Sequence, residues 1–328
     1  MAAAAPDHDA TLTFVSCPER GFPVAAAGGR GVLGRAASAD VIVVDSIAAW
    51  VLAPWVRPGH GPSLVAMSHQ VPGGIDHGPL RARAQTRLDL RTYRRARVLM
   101  VASETLAADL RARGFAPESI RVVAPGCDPA PTVDRALPDL RAGRRVAILC
   151  VGNWMERKGI RELLDAFAEL PAPAATLHLV GDELTDTRYG RAVDERLRSP
   201  ALADRVVRHG PVDPATVAAM YQAADVFALP STVEPYGTVI GEALAAGLPV
   251  VGWDAGNLPH LATHGRDALI YPVGDVDALA AGLRRLAEDD STRELLAAGA
   301  RRRGATLPRW ADTAAAFFGI LHAVHRRS

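Results

Sequence analysis

The chain has 328 residues, a formal net charge of +1 and a hydrophobic fraction of 49%. This length suits two domains, each with its own core, and the balanced charge excludes a general electrostatic attraction to nucleic acid. The three cysteines, Cys17, Cys127 and Cys150, contain no Cys-x-x-Cys pair. Neither a disulfide framework nor a zinc site is therefore expected.

The targeting signals of the sequence are weak. No uninterrupted apolar run approaches the roughly 20 residues that a membrane helix needs. The first nine residues lack the basic segment of a signal peptide and are expected to form a disordered tail. Together with the cysteine pattern, these features favour a cytoplasmic location.

Strands and helices alternate through the first part of the chain. Four apolar runs predict strands of a parallel sheet, at residues 11–15, 40–44, 64–67 and 98–101. Helical patterns lie between them, over residues 80–96 and 104–113, and Gly114 ends the second helix. This alternation predicts a doubly wound α/β domain, in which ligands bind at the carboxyl ends of the strands.

A glycine motif, Gly-x-Gly-x-x-Gly, spans Gly29 to Gly34. A dinucleotide site requires this motif directly after a strand and at the start of a full helix. Here Pro18 and Pro23 separate it from the first predicted strand, and about six residues remain before the next one. A loop or a short helix is the favoured interpretation.

The second half opens with a continuous apolar run at residues 146–151, which predicts a central strand. Gly152 follows, then the cations Arg157 and Lys158, and then an amphipathic helix. A strand, a glycine turn, two cations and a helix N-terminus together can hold a diphosphate. Cations at that position would stabilise a diphosphate leaving group without a metal ion.

A second strand–turn–helix unit begins with the apolar run at residues 225–229. Glu234 lies in the predicted turn, Pro235 in the predicted first helical turn, and Glu242 on the helix that Gly247 ends. The N–H groups at the start of this helix, those of Gly237, Thr238 and Val239, are predicted to be unpaired. Such a turn is a natural site for an anion or a hydroxyl.

Composition points to the same two units. Lys158 is the single lysine among 37 basic residues, and asparagine occurs only at Asn153 and Asn257. We infer a coding bias against lysine and asparagine. Residues that persist against this bias are expected where arginine or serine cannot substitute.

Metal-binding patterns are incomplete. His260 and His264 have ligand spacing, but no third ligand accompanies them. Asp275-Val276-Asp277 precedes a helical pattern and is interpreted as a helix N-cap. We therefore expect no metal site and no cofactor.

Glu234 and Glu242, with seven residues between them and followed by Ala-Leu-Ala-Ala-Gly-Leu-Pro-Val-Val, resemble the signature of the family 4 glycosyltransferases, the glycosyl transferases group 1. The resemblance runs from about Asp40 and is most specific over residues 146–251. It implies the GT-B fold, with two Rossmann-like, doubly wound α/β domains facing across a cleft. The implied divisions are an acceptor-side domain at 1–135, a linker at 136–145, a donor domain at 146–307 and a final helix, 308–328, that packs back on the first domain.

The resemblance also implies an activity: transfer of a sugar, with retention, from a UDP- or GDP-sugar to a hydroxyl of a small-molecule or glycan acceptor, without a metal. Glu234 would contact the sugar hydroxyls and support the charged transition state, Glu242 would hold the ribose, and Lys158 the diphosphate. The implied donor-binding residues are Gly152, Asn153, Arg157, Lys158, Gly210, Val212, Tyr236, Gly237, Thr238, Val239 and Glu242. Asn153 stands where the family often has arginine, which shifts the cationic role to Lys158 and Arg157.

The first half contributes two further expectations. His69 directly follows a predicted strand and resembles the histidine that the family places near the transferred sugar, so it joins Glu234 and Lys158 as a catalytic residue. Four arginines fall near one face of the helix predicted at 80–96, namely Arg83, Arg87, Arg91 and Arg94. A solvated face is the favoured interpretation, and weak contact with an anionic membrane is the alternative.

One departure from the family leaves other functions open. The opening strand, glycine-rich loop and long helix of the family look shortened or missing here. An NAD(P)-dependent oxidoreductase that uses the Gly29–Gly34 motif is one alternative. A catalytically degenerate nucleotide-sugar binding protein is the other.

Overall fold

The computed structural model describes residues 1–17, 21–57, 61–75, 77–128 and 137–327. It consists of two compact units, one formed by Met1–Gly126 with Pro308–Ser328 and the other by Cys127–Leu307. Residues 129–135 of the predicted first domain and residue 136 of the predicted linker lie outside the described ranges. Each unit is an α/β structure built on its own parallel sheet.

The first unit contains a four-stranded parallel sheet whose strands lie in sequence order. The strands are β1 (Val41–Asp45), β2 (Ser63–Ser68), β3 (Val98–Val101) and β4 (Ile120–Val122). Its first four helices are α1 (Gly29–Arg35), α2 (Ala49–Leu52), α3 (Pro79–Tyr93) and α4 (Glu104–Ala112). The predicted strands at 40–44, 64–67 and 98–101 and both predicted helices are therefore confirmed.

The strand predicted at residues 11–15 is wrong, because these residues belong to no strand. Strands of a parallel sheet are usually buried on both faces and apolar throughout. This segment contains two threonines, and Phe14 is 80% exposed. Of its residues, Leu12 packs against the cluster that contains Val65 and Met100, so the segment contributes to the core without joining the sheet.

The glycine motif forms a helix, α1, which follows a 3-10 turn at Val24–Gly28. A Cβ on Gly29 would lie 2.3 Å from the carbonyl oxygen of Val51 and 2.7 Å from a ring carbon of Trp55. The glycine is thus explained by the close approach of α1 to α2 and the residues that follow it. The strand that a dinucleotide turn requires does not precede it.

The second unit contains a six-stranded parallel sheet in the order β10-β9-β8-β5-β6-β7. Its strands are β5 (Val146–Val151), β6 (Ala175–Val180), β7 (Val206–Gly210), β8 (Val226–Ala228), β9 (Val250–Trp253) and β10 (Ala268–Tyr271). The strand order reverses between β5 and β8, as in a doubly wound nucleotide-binding fold. Ligands of such folds bind at the carboxyl ends of the strands that flank the reversal.

Helices cover this second sheet. They are α5 (Ile160–Ala168), α6 (Arg188–Leu197), α7 (Pro214–Ala223), α8 (Thr238–Ala245), α9 (Leu258–Leu261), α10 (Val276–Glu288) and α11 (Asp290–Gly304). Asp275 caps α10 by accepting a hydrogen bond from the Ala278 N–H, as predicted. The prediction that Pro235 lies in the first turn of α8 is wrong, because Gly237, with φ of +89°, is the N-cap.

The last helix, α12 (Trp310–His325), belongs to the first unit. Phe317 and Phe318 pack in one cluster with Val65 of β2 and Met100 of β3. The Thr313 hydroxyl donates to the carbonyl of Ala124 at 2.8 Å. The core of this unit is therefore assembled from the beginning and the end of the sequence. Among the helices of the described residues, none is long and apolar enough to cross a membrane.

Candidate active site

Two charged side chains meet where the strand order of the second sheet reverses. Lys158 lies on the loop after β5 and Glu234 on the loop after β8, and Lys158 Nζ is 2.5 Å from Glu234 Oε2. Their side chains are only 12% and 11% exposed. An ion pair this buried lies in a low-dielectric environment, where charge interactions are stronger than at the surface.

Backbone contacts hold the two loops together. The Thr232 N–H donates to the carbonyl of Arg157 at 2.8 Å. Gly159 has φ of +66°, and a Cβ on it would lie 2.2 Å from the carbonyl oxygen of Pro230. Only glycine permits both this conformation and this approach, so the position of Lys158 depends on Gly159.

Asn257, from the loop after β9, supports the Glu234 loop from the other side. Its backbone N–H donates to the Glu234 carbonyl at 2.9 Å, and its side-chain amide donates to the Tyr236 carbonyl at 2.8 Å. Asn257 is 3% exposed. It was not among the predicted site residues, although its rarity in the composition was a signal. Its role is to position the loop that carries Glu234.

The start of α8 presents free backbone donors. The N–H groups of Thr238 and Val239 have no acceptor within the part of the chain that the structure describes. They are the first two amides of the helix, where the helix dipole favours negative charge. This arrangement agrees with the expectation for a turn that binds an anion or a hydroxyl.

Glu242 lies further along α8 and is half-buried. Burial raises the pKa of its carboxyl, and a hydrogen bond with the Tyr221 side chain partly offsets this effect. The Tyr221 hydroxyl also lies 3.1 Å from the carbonyl of Val239. Tyr221 therefore links Glu242 to the first turn of its helix.

The start of α5, part of the predicted diphosphate cradle, contacts a residue of α6. The Tyr189 hydroxyl, from α6, accepts a hydrogen bond from the Arg161 N–H at 3.0 Å. This first-turn amide is therefore already paired by a protein group. In the first turn of α8, by contrast, the Thr238 and Val239 amides have no acceptor among the described residues.

Asn153 connects neighbouring loops at the same edge of the sheet. Its side-chain oxygen accepts a hydrogen bond from the Asp182 N–H at 3.0 Å, and the Trp154 N–H donates to the Asp182 carbonyl at 2.8 Å. The Gly181 N–H donates to the carbonyl of Gly210 at 3.0 Å. The loops after β5 and β6 and the end of β7 at Gly210 thus adjoin one another, and Val212 packs against the core of the unit.

His69 belongs to the first unit, where it follows β2. Its Nε2 lies 3.2 Å from Oδ2 of Asp45, the last residue of β1. Burial raises the pKa of Asp45, but hydrogen bonds from His69 and the Ile47 N–H outweigh this effect and lower it overall. Asp45 was missed by the sequence analysis, because its pairing with a residue 24 positions away is visible only in the folded sheet.

The loop after His69 is anchored to α3. The Gly73 N–H donates to Oδ2 of Asp89 at 2.8 Å, and the Thr86 hydroxyl donates to the carbonyl of Pro72 at 3.0 Å. Gly73 has φ of +100°, and a Cβ on it would lie 2.3 Å from the Thr86 hydroxyl. Burial raises the pKa of Asp89 to about 6 despite the hydrogen bond from Gly73.

Other sequence features have simpler roles. Arg83, Arg87, Arg91 and Arg94 are all exposed along α3, whereas Gln85, Asp89 and Thr92 of the same helix are buried. His264 Nδ1 lies 3.0 Å from the backbone nitrogen of Ile270. Among the described residues, no group of three or more histidines, cysteines and carboxylates is arranged to hold a metal ion.

Solved structures identify the fold. The sucrose-phosphate synthase of Thermosynechococcus elongatus superposes with a TM-score of 0.80 and 24% identity, over 97% of this chain and 82% of that chain. The Anabaena protein HepE in complex with UDP-glucose gives a TM-score of 0.76 and 22% identity, over 98% and 88% of the two chains. Both are GT-B glycosyltransferases, so the fold is GT-B.

Family models and relatives agree with the fold. Residues 3–126 match the "Glycosyl transferase 4-like domain", and residues 145–289 match "Glycosyl transferases group 1". The D-inositol 3-phosphate glycosyltransferase of Corynebacterium diphtheriae is 28% identical over 80% of this chain and 63% of its own length. That of Xylanimonas cellulosilytica is 32% identical over 68% of this chain and 56% of its own length. The chain belongs to the family 4, or group 1, glycosyltransferases. It spans about half to two thirds of the length of these curated relatives.

Proposed function

We propose that this protein transfers a sugar from a nucleoside-diphosphate sugar, a UDP- or GDP-sugar, to a hydroxyl group of a small-molecule or glycan acceptor. Transfer proceeds with retention at the anomeric carbon and needs no metal ion. The observation that carries the proposal is the buried Lys158–Glu234 pair at the reversal point of the second sheet. The positive charge of Lys158 suits the diphosphate of the donor, and the negative charge of Glu234 suits the anomeric carbon of the reacting sugar.

The diphosphate requires positive charge and hydrogen-bond donors. Lys158 supplies the charge, and the free amides of Thr238 and Val239 supply donors at the positive end of a helix dipole. As the bond to the sugar breaks, negative charge grows on the diphosphate. Fixed groups in a water-poor site stabilise this charge without the cost of reorganising solvent.

The sugar requires acceptors for its hydroxyls and a negative charge near the anomeric carbon. Glu234 supplies both, because its backbone is fixed by Asn257 and its side chain is almost fully buried. In the free protein, Lys158 neutralises this carboxylate. When the donor binds, Lys158 can interact with its diphosphate and Glu234 with its sugar hydroxyls.

The nucleoside is assigned to the remaining residues. Glu242 accepts hydrogen bonds from the ribose, and the loop from Gly210 to Val212 contacts the base. Asn153 and Arg157 complete the phosphate side, with Gly152, Tyr236 and Gly237 shaping the pocket. Structures of the related HepE protein with UDP and with UDP-glucose support a nucleotide-sugar donor.

Purified protein should be screened with UDP-, GDP- and ADP-sugars by thermal shift, because a ligand that binds only the folded state raises Tm. The donor that binds is then incubated with candidate hydroxyl acceptors, with and without EDTA. NMR of the product's anomeric proton reports retention.

Inverted product, or activity abolished by EDTA, contradicts the mechanism. Donor binding without hydrolysis or transfer favours a nucleotide-sugar binding protein. Binding of NAD(P)H in place of every nucleotide sugar favours an oxidoreductase.

We also propose a weak contact between α3 and an anionic membrane surface. Arg83, Arg87 and Arg91 on this helix, and Arg94 at its C-cap, are all exposed. Arginine clusters near a surface bind anionic lipid electrostatically. Sedimentation with vesicles should therefore depend on anionic lipid and weaken with salt. Equal sedimentation with neutral and anionic vesicles contradicts this contact.

A further inference from the structure

Asp45 and His69 come together at the carboxyl edge of the first sheet. Asp45 is the last residue of β1, and its Cα partner in β2 is Met67, two residues before His69. The carboxylate Oδ2 and the imidazole Nε2 are 3.2 Å apart. The parallel pairing of two adjacent strands therefore brings these two side chains together.

Neighbouring groups fix both members of the pair. Oδ1 of Asp45 accepts a hydrogen bond from the Ile47 N–H at 2.8 Å. The backbone N–H of His69 donates to the hydroxyl of Ser46 at 3.3 Å, and Ser46 is 2% exposed. The carboxylate is thus held by one oxygen and presents the other to the imidazole.

This contact favours one position of the ring hydrogen. An ionised carboxylate only accepts hydrogen bonds, so a hydrogen bond between the two side chains requires Nε2 of His69 to carry the hydrogen. In neutral histidine, Nδ1 then holds the free lone pair. Among the described residues Nδ1 has no hydrogen-bond partner, and the side chain is 45% exposed.

We propose that Asp45 is a positioning residue that holds His69 in the Nε2–H tautomer and leaves Nδ1 to accept a hydrogen bond from a substrate hydroxyl. The role of the hydroxyl rests on the proposed sugar transfer, whereas the tautomer does not. Asp45 itself is not expected to contact the substrate. Its effect on the reaction passes through the imidazole.

The test is Asp45→Asn, which preserves shape and retains an oxygen for the Ile47 N–H. With that oxygen in place, the amide NH₂ faces Nε2 of His69 and donates to it. The variant should therefore invert the tautomer to Nδ1–H. Nitrogen-15 NMR of the imidazole at about pH 8.5, where histidines are ordinarily neutral, reports which nitrogen carries the hydrogen. The His69 signal is assigned by its loss in His69→Gln.

Asp40→Asn is the matched control, because it removes the same charge from the residue just before the same strand, where the side chain is 82% exposed. Release of UDP from UDP-glucose is measured in parallel. For Asp45→Asn, kcat should fall about tenfold while KM for UDP-glucose changes little, in keeping with loss of one charge-assisted hydrogen bond. Asp40→Asn should leave both values and the tautomer unchanged.

The NMR measurement tests the positioning role of Asp45, and the UDP-release measurement depends in addition on the proposed sugar transfer. A wild-type Nε2–H tautomer that inverts in Asp45→Asn supports the positioning role, even if UDP-glucose is not a donor and UDP release is absent. An Nε2–H tautomer that persists in Asp45→Asn overturns it. An Nδ1–H tautomer in the wild type overturns it as well. Circular dichroism of Asp45→Asn checks that the variant is folded, and Asp45→Ser, which cannot restore the carboxylate, must also lose the wild-type preference.

Discussion

The hydroxyl of Tyr189 lies 3.0 Å from the backbone nitrogen of Arg161 and 3.3 Å from Oε2 of Glu162, both in the first turn of α5. The hydroxyl accepts from the amide and donates to the carboxylate. A tyrosine from α6 therefore caps the start of α5, the preceding helix. One amide of the helix terminus that follows the Lys158 loop is thus paired by the protein itself.

Tyr189→Phe removes this cap without changing the ring. We expect the free energy of unfolding to fall by about 1 kcal/mol, the usual contribution of one hydrogen bond. The kcat/KM for the donor should change less than about threefold, because the capped amide has no place in the proposed phosphate site. Urea unfolding and initial rates measure the two effects. A large loss of activity at unchanged stability would place α5 in the donor site.

Lys158→Ala tests the cation opposite the diphosphate. Removal of a group that stabilises developing charge should lower kcat/KM by about 10²-fold or more. Lys158→Arg keeps the charge but not the compact shape and should recover part of the loss. Arg161→Ala, which removes an exposed side chain three residues further on, is the matched control. A loss below about threefold for Lys158→Ala would refute the assignment.

Lys158→Ala also leaves Glu234 buried without its partner. Breaking a buried ion pair from one side ordinarily destabilises a protein by about 3–5 kcal/mol. The melting temperature of the variant should therefore fall in the absence of donor. Lys158→Ala,Glu234→Ala removes both charges and should recover part of this stability while remaining inactive.

Asn257→Ala tests the support of the Glu234 loop. The variant keeps the backbone hydrogen bond to Glu234 but loses the side-chain donor to Tyr236. A buried carbonyl without its donor costs about 1–3 kcal/mol. Displacement of the loop should also lower kcat by about tenfold, because small misplacements of reacting groups are costly. Unchanged kinetics with reduced stability would limit Asn257 to a structural role.

Asp89 makes a pH-dependent contribution to stability. Its pKa is about 6 in the folded chain, above the ordinary value of 3.8. The folded state therefore binds the proton more tightly than the unfolded state, so this contribution is present in full below about pH 3.8 and is lost as pH rises through about 6. The loss at neutral pH is at most about 3 kcal/mol.

Asp89→Asn removes the titration and can keep an acceptor for the Gly73 N–H. The stability of the variant relative to wild type should therefore increase between about pH 4 and pH 7. Unfolding free energies measured at several pH values give this difference directly. Tyr93 interacts electrostatically with Asp89, but burial raises the pKa of Tyr93 far above this pH range. A difference that does not vary with pH contradicts the assignment.

Sequence reasoning was most effective where structure depends on residues close together in the chain. The strands before Gly152 and Glu234 are short apolar runs, and each leads within a few residues to a helix. The two strands are parallel and adjacent in the sheet, and Lys158 and Glu234 meet on the loops that follow them. The sequence placed each residue after its own strand, whereas the adjacency of the two strands is visible only in the folded sheet.

Residues that act through distant partners could not be found in this way. Asp45 pairs with His69, and Tyr189 caps the helix at Arg161, 28 residues away. Nothing in the local pattern of these residues distinguishes them from surface acids or core aromatics. The strand predicted at 11–15 was wrong for a related reason, because the apolar pattern does not reveal whether a sheet edge accepts the segment.

The position of α12 has a consequence for synthesis of the chain. The second unit is one continuous segment, Cys127–Leu307, whereas the first unit is interrupted by it. Because Phe317 and Phe318 complete the cluster around Val65 and Met100, the first sheet is synthesised early but lacks part of its core until α12 has been made. The later segment can fold first. The earlier one keeps the apolar side chains of this cluster uncovered until α12 is available.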